Sequence, residues 1–187
     1  MAALKFVMSS AGKNDVRYYL NGVAFEVKNE RLTLVGCDGH RGAHVELKGA
    51  IKMPDMTYIA ERQSIDTLIK VIGKRETVRL DYGDDGVLYA LIDLDRIALV
   101  MIDGKYPKWR EAFFRGETEA TEQYAINAKY MAEAAKSCQI LLGSRCFPAI
   151  VTKLRGPNSI IEFVPDIDQE AMTSIHSASM VVMPLRQ

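Results

Sequence analysis

Apolar residues recur along this chain with two periods, and the periods alternate. Ile65, Leu68, Ile69 and Ile72 fall at i, i+3, i+4 and i+7, the spacing of one helix face, with Ser64 as a cap before them and Gly73 as a stop after them. Around that helix the pattern is that of strands: 57–60 ahead of it, then 78–82, 87–92 and 96–102 behind it. Gly83-Asp84-Asp85-Gly86 reads as a turn with two glycines at positive φ, and Asp103-Gly104 closes the run. The order is β-α-β-β-β.

The same order returns downstream. Residues 123–126 read as a strand and Asn127 as the cap of a helix striped by Tyr130, Met131, Ala134 and Ala135. Strands follow at 149–154, 159–164 and 177–183, with Gly156-Pro157-Asn158 at a turn. Ser64 and Asn127 lie 63 residues apart, a usable repeat length. A further copy begins inside its helix, at 2–9, with Leu4, Val7 and Met8 as the stripe; its strands are 18–27, 31–37 and 41–47, with a turn at Asn29-Glu30, and its opening strand is missing. Residues 52–55 join the first two blocks. The charged stretch 111–122, with Gly116, reads as a flexible joint between the second and third. One helix to four strands predicts an α+β protein, its helices on one face of largely antiparallel sheets.

Composition narrows the function classes. At 48% hydrophobic, 187 residues can bury a real core, which excludes a disordered tail. Lys+Arg 24 against Asp+Glu 24 gives no net charge, so any nucleic-acid contact comes from local arrangement. The free helix faces carry Lys5, with Lys13 and Arg17 beyond it; Arg62, Asp66 and Lys70, with Lys74 and Arg75; and Lys129, Glu133 and Lys136. They are either ordinary solvated faces or a phosphate-facing surface made by repeated helices. Cys37, Cys138 and Cys146, odd in number and widely spaced, read as reduced thiols rather than a disulfide framework or zinc site.

Catalytic chemistry does not assemble from the residue list. Residues 71–75 lack the earlier glycine and the Ser/Thr of a phosphate loop, and no G-x-S-x-G occurs. His40 and His44 lie four apart in a strand-like pattern that puts both on one face, without an H-E-x-x-H motif; with His176 they suggest no metal. Asp84, Asp85, Asp93 and Asp95 read as turn formers. The expectation is a non-enzymatic protein without cofactor or metal. No secretory or membrane-spanning segment is read, so the expected location is cytoplasmic, with no membrane partner.

Four segments carry more: 15–22 (DVRYYLNG), 37–41 (CDGHR), 102–107 (IDGKYP) and 180–186 (MVVMPLR). Their identity and order resemble the bacterial DNA polymerase III beta subunit, the sliding-clamp family. The resemblance divides the chain into 1–115, similar to the central clamp domain with two half-repeats and its first strand missing, and 116–187, similar to half of the C-terminal clamp domain. It implies a DNA clamp fold, with helices lining a channel and sheets outside, that holds double-stranded DNA without reading sequence. The implied DNA-side residues are Lys5, Lys13, Asn14, Arg17, Tyr18, Tyr19, Arg62, Lys70, Lys74, Lys129 and Lys136. Tyr18 and Tyr19, as neighbours in a strand, would face opposite ways, one of them into the core.

The resemblance also implies a hydrophobic pocket for short peptide motifs of polymerases and repair proteins. It would use Leu20, Cys37, Gly39, His40 and Arg41 with Val181, Val182, Met183, Pro184, Leu185 and Arg186. Where the family reads T-D-G-H-R-L, this chain has Cys37 first and Gly42 last, which removes apolar area from the pocket. A sheet block lacking a strand leaves an open edge, and such edges invite pairing with a second copy. A homo-oligomer follows: a tetramer, in which three blocks per chain supply twelve, or a dimer that leaves the ring open. Two functions are consistent with these residues. One is a shortened processivity factor on DNA; the other is a clamp-derived interaction protein that competes for clamp partners or interferes with a host clamp without encircling DNA.

Overall fold

The first strands set the frame, as seen in a computed structural model that describes residues 1–73, 77–113, 126–143, 149–154, 160–166 and 174–183. Strands β1 (Gly22–Lys28), β2 (Arg31–Cys37) and β3 (Arg41–Leu47) form an antiparallel meander. The β1–β2 hairpin turns on two residues, Asn29 (φ 51) and Glu30 (φ 60), both left-handed, as a tight mirror-image turn requires. Strand β4 (Thr57–Glu61) adds to the outside of β1. On the other side β3 pairs with β10 (Ile175–Val182), from Ile175↔Leu47 to Val182↔Arg41, so the first and third blocks share one sheet. Strands β9 (Ile161–Pro165) and β8 (Ile150–Leu154) complete the order β4-β1-β2-β3-β10-β9-β8. A second antiparallel sheet has the order β5 (Arg79–Tyr82), β6 (Leu88–Ile92), β7 (Asp95–Ala98).

Helices α1 (Ala2–Met8), α2 (Arg62–Ile72) and α4 (Ala128–Leu142) lie on one side, with α1 packed against both others. Alternation along the strands sorts the core accordingly. Phe25, Leu34, Val45, Ala60, Met180 and Val182 point at the helices, where they meet Phe6, Val7, Ile65, Leu68, Ala134 and Leu141. Their strand neighbours Ala24, Val35, Ile59 and Val181 point the other way, into a second cluster with Leu20, Tyr106, Trp109 and Phe113. The short helix α3 (Trp109–Phe113) supplies the last two of those rings.

Several local expectations are corrected. Tyr18–Leu20 is a 3-10 turn, and the strand starts only at Gly22. Asn21 holds that turn, accepting from Asp15 N at 2.8 Å and donating to Asp15 O at 2.8 Å. Strand alternation therefore does not apply to Tyr18 and Tyr19, whose rings meet edge to face at 5.6 Å. Helix α2 begins at Arg62 with Glu61 at its cap, because β4 runs directly into it and Arg62 N donates to Asn21 O. Ser64 instead accepts from Val100 N at 3.0 Å. Of the two turn glycines only Gly86 has positive φ, and Asp85 closes the turn by accepting from Val87 N. The strand expected over 96–102 leaves β6 after Ala98 and crosses to β4, where Ile102 N donates to Ile59 O.

The third block differs similarly. Asn127 caps α4, accepting from Lys129 N at 3.0 Å. Its buried stripe, however, is Ala134, Ser137, Cys138, Leu141 and Leu142, while Met131 and Ala135 are exposed. The stripe is set by packing on α1, β9 and β10, and at its flank Arg41 of β3 pairs with Glu133 and lies 5.1 Å over the Tyr130 ring. The part of the expected joint at 111–113 is helical and buried at Phe113, since Trp109 and Phe113 fall one helical turn apart on the sheet. The expected strand at 123–125, the turn at 156–158 and the boundary at 115/116 lie outside the described residues.

Candidate functional site

A tight turn between β2 and β3 is the geometric centre of the site. Asp38 Oδ1 accepts from His40 N at 2.9 Å and Arg41 N at 3.0 Å, an Asx-type closure that Gly39 (φ 85) completes. A Cβ on Gly39 would lie 2.5 Å from Arg17 Nη1. Arg17 is packed beneath the turn, donating to Asp38 O at 3.0 Å and twice to Asp15, at 2.9 and 2.7 Å. Those Arg17 hydrogen bonds pull the Asp15 carboxyl down to a pKa of about 2. The end of β10 is tied to the same turn: Met183 N donates to His40 O at 2.8 Å, and Val181 stands opposite Gly42. Segments 37–42 and 181–183, remote in sequence, thus meet at one end of the sheet, with Cys37, Gly42 and Val181 on the face away from the helices.

The residues expected to line a pocket there take different positions. Leu20 (2% exposed), Cys37 (9%) and Val181 (5%) share the outer cluster. Val182 faces the helix side instead. Gly39 and His40 are exposed, Met183 is 47% exposed, and Arg41 is committed to Asp38, at 2.9 Å, and Glu133. Pro184, Leu185 and Arg186 lie outside the described residues. Burial pushes the Cys37 thiol pKa up, which leaves it a small apolar group.

Sequence reasoning missed what covers this floor. Tyr106, Trp109 and Phe113 lie over it, and the Phe113 ring occupies the space above Gly42, where a Cβ would stand 2.5 Å from Cε1. Trp109 Nε1 donates to Glu26 Oε2 at 2.6 Å; Arg110 pairs with the same carboxylate and stacks 4.2 Å over the Trp109 ring. His44 packs beneath, 5.1 Å from Trp109 and 5.9 Å from Phe113, with Ser179 Oγ 3.3 Å from Nδ1. Desolvation pushes the His44 pKa down to about 4. His40 lies in the turn ahead of β3 and His44 inside it, so the two do not share a face. The signal available was the spacing of Tyr106, Trp109 and Phe113, three and then four residues apart.

The helix side carries the expected cations unevenly. Lys5, Lys70, Lys129 and Lys136 are exposed on α1, α2 and α4, and Lys13 and Asn14 are exposed just past α1, Asn14 with φ 58. Arg62 turns back, donating to Ala11 O at 2.8 Å and Met8 O at 3.2 Å, and so splices α2 to the end of α1. Tyr18 is exposed, whereas Tyr19 packs on the outer cluster. Lys74 lies outside the described residues. No helix among the described residues is long and apolar enough to cross a membrane.

Known proteins resemble this arrangement in sequence and in fold. The beta sliding clamp of Escherichia coli K12 is 30% identical over 102 residues, 54% of this chain and 28% of that protein. That of Proteus mirabilis is 30% identical over 112 residues, 59% of this chain and 30% of that protein. The chain therefore spans under a third of the curated relatives it matches. Among solved structures, the Helicobacter pylori beta clamp in complex with carprofen superposes with a TM-score of 0.77 at 14% identity, covering all of this chain and 64% of that one. The Pseudomonas aeruginosa DNA polymerase III subunit beta gives 0.73 at 21%, covering all of this chain and 63% of that one. At these identities the structures speak to the fold, which is the sliding-clamp fold. The family model for the central domain of the DNA polymerase III beta subunit matches residues 2–108, more than half of the chain, and the protein belongs to that sliding-clamp family.

Proposed function

We propose that this chain is a cytoplasmic replication protein that associates with duplex DNA through its helix side and receives short hydrophobic peptides of polymerase or repair proteins on its outer sheet face. The observation that carries the reading is the Met183–His40 backbone bond within the β3–β10 ladder. It brings 37–42 and 181–183 together, and Cys37 and Val181 lie on the face opposite Lys5, Lys70, Lys129 and Lys136, which supports a peptide site there. Residues 1–115 act as a central-domain-like unit and 116–187 as half of a C-terminal one, stitched by that ladder. Long mobile lysines suit phosphate contacts without base reading. Among the described residues β8 is an outermost strand of the larger sheet and β5 and β7 are the outer strands of the smaller one, so further copies of the chain have sheet edges to pair with, in a tetrameric ring or in a dimer that leaves the ring open.

DNA topology tests this reading. A closed assembly is retained on a nicked circle and lost when the circle is cut; equal retention on both would sink encirclement. Lys70→Glu with Lys136→Glu should weaken DNA association by about tenfold and lower the salt dependence by about two ions, read from binding isotherms at several salt concentrations. A second reading keeps the peptide face alone, as a competitor for clamp partners. It is favoured by Arg17 and Arg62 being spent inside the chain. It requires peptide binding with no difference between circular and linear DNA.

A further inference from the structure

We propose that Phe113, backed by Trp109, is the resident occupant of the peptide notch, and that a partner peptide binds by exchanging with this aromatic strap rather than by filling an open groove. The inference rests on the reading of the outer face as a peptide site and adds how that site is regulated.

The floor of the notch is formed but closed. Leu20, Cys37 and Val181 are buried in a cluster with Tyr106, Ile160 and the two rings of a five-residue helix, Trp109 and Phe113, rather than under a layer of secondary structure. Phe113 fits because position 42 is glycine: a Cβ there would meet Cε1 at 2.5 Å and Cζ closer still. The side chain absent from β3 is thus replaced by a ring from another part of the chain. Gly42 and Phe113 are two halves of one feature.

The strap's hold is local. A helix of five residues has no stability of its own and stays only where its side chains are bound. Its fixings to the sheet include the packing of Trp109 and Phe113 on His44 and one carboxylate, Glu26, which takes both Trp109 Nε1 and Arg110, while the two rings brace each other edge to face at 5.4 Å. An incoming apolar side chain regains the burial that Phe113 gives up, so the exchange costs little hydrophobic free energy. The closed form lowers apparent affinity by the fraction of molecules that are open. Met183, exposed at the rim, is where a peptide first finds apolar surface.

Trp109 is the single tryptophan and is 6% exposed, so its emission reports the strap directly. The experiment titrates a synthetic peptide bearing Leu and Phe into the full chain and into the Phe113→Ala, Glu26→Gln and Gly42→Leu variants, following binding by calorimetry and Trp109 by emission maximum and acrylamide quenching. In the unaltered protein, saturation with peptide should shift the emission to the red and raise quenching. Phe113→Ala should bind about tenfold more tightly. Glu26→Gln keeps every ring and loosens the latch, so it should move affinity the same way by a smaller factor and carries the test if Phe113→Ala does not fold. Gly42→Leu should expose Trp109 without peptide. Peptide binding with Trp109 emission unmoved, or with affinities of Phe113→Ala and Glu26→Gln at or below the unaltered protein's, overturns the exchange alone. No binding by any of the four proteins overturns the peptide-site reading and the exchange with it.

Discussion

The two faces of the seven-stranded sheet are covered by different means. Toward α1, α2 and α4 the cover is periodic: each helix contributes a stripe, and Phe6, Ile65, Leu68 and Ala134 are wholly enclosed. On the other face it is made of single side chains, Leu20 from a turn, Ile160 from ahead of β9, and Tyr106, Trp109 and Phe113 from one passage of chain. The first cover is distributed over three elements that also bury one another. The second hangs on a few large rings and a carboxylate. A periodic cover resists loss of any one member, whereas a cover of isolated rings can leave as a unit.

The sharpest way to break that contrast is by truncation. Phe25→Ala on the helix side should cost about 3–5 kcal/mol, seen as a lower urea midpoint with unchanged slope. Phe113→Ala should cost distinctly less; equal losses would mean that the outer cover is as integral as the helices. Next in size is pH. His44, neutral and enclosed beneath Trp109, has its pKa moved from 6.5 to about 4 by desolvation, against the pull of Glu162 and Glu46. The unfolded chain therefore takes up the proton first, so stability falls as pH drops through 6.5 and the loss, about 3 kcal/mol, is complete near 4. A melting profile flat over that window after His44→Gln confirms the source; an unchanged slope removes it. Smallest is Asn127→Ala, which deletes the cap of α4 and should cost about 1 kcal/mol by thermal unfolding, leaving Trp109 emission untouched.

The contrast also explains what could be read in advance. Strands β2 and β3, the Asn29-Glu30 turn, the Asn127 cap and the Gly73 stop follow from alternation, turn chemistry and capping, which are local. The joining of 37–41 to the C-terminal segment was legible only through family likeness, because strand pairing leaves little trace in a single sequence. The rest failed where a distant partner decides. Ser64 lost its cap role to Val100, Tyr18–Leu20 were turned by Asn21 and Asp15, and α4 took its buried stripe from packing on α1, β9 and β10. Trp109 and Phe113 went unnoticed as a lid because two rings one turn apart in a charged stretch resemble an ordinary linker.

Strand β10 enters the sheet between β3 and β9, although it follows both of them along the chain. During synthesis, β1 to β3 can zip up as soon as they emerge, yet the outer backbone row of β3 stays unmatched until residues 175–182 have left the ribosome. For that interval the nascent chain carries an exposed template able to capture another nascent chain, and translation speed through the stretch after β3 sets how long the hazard lasts.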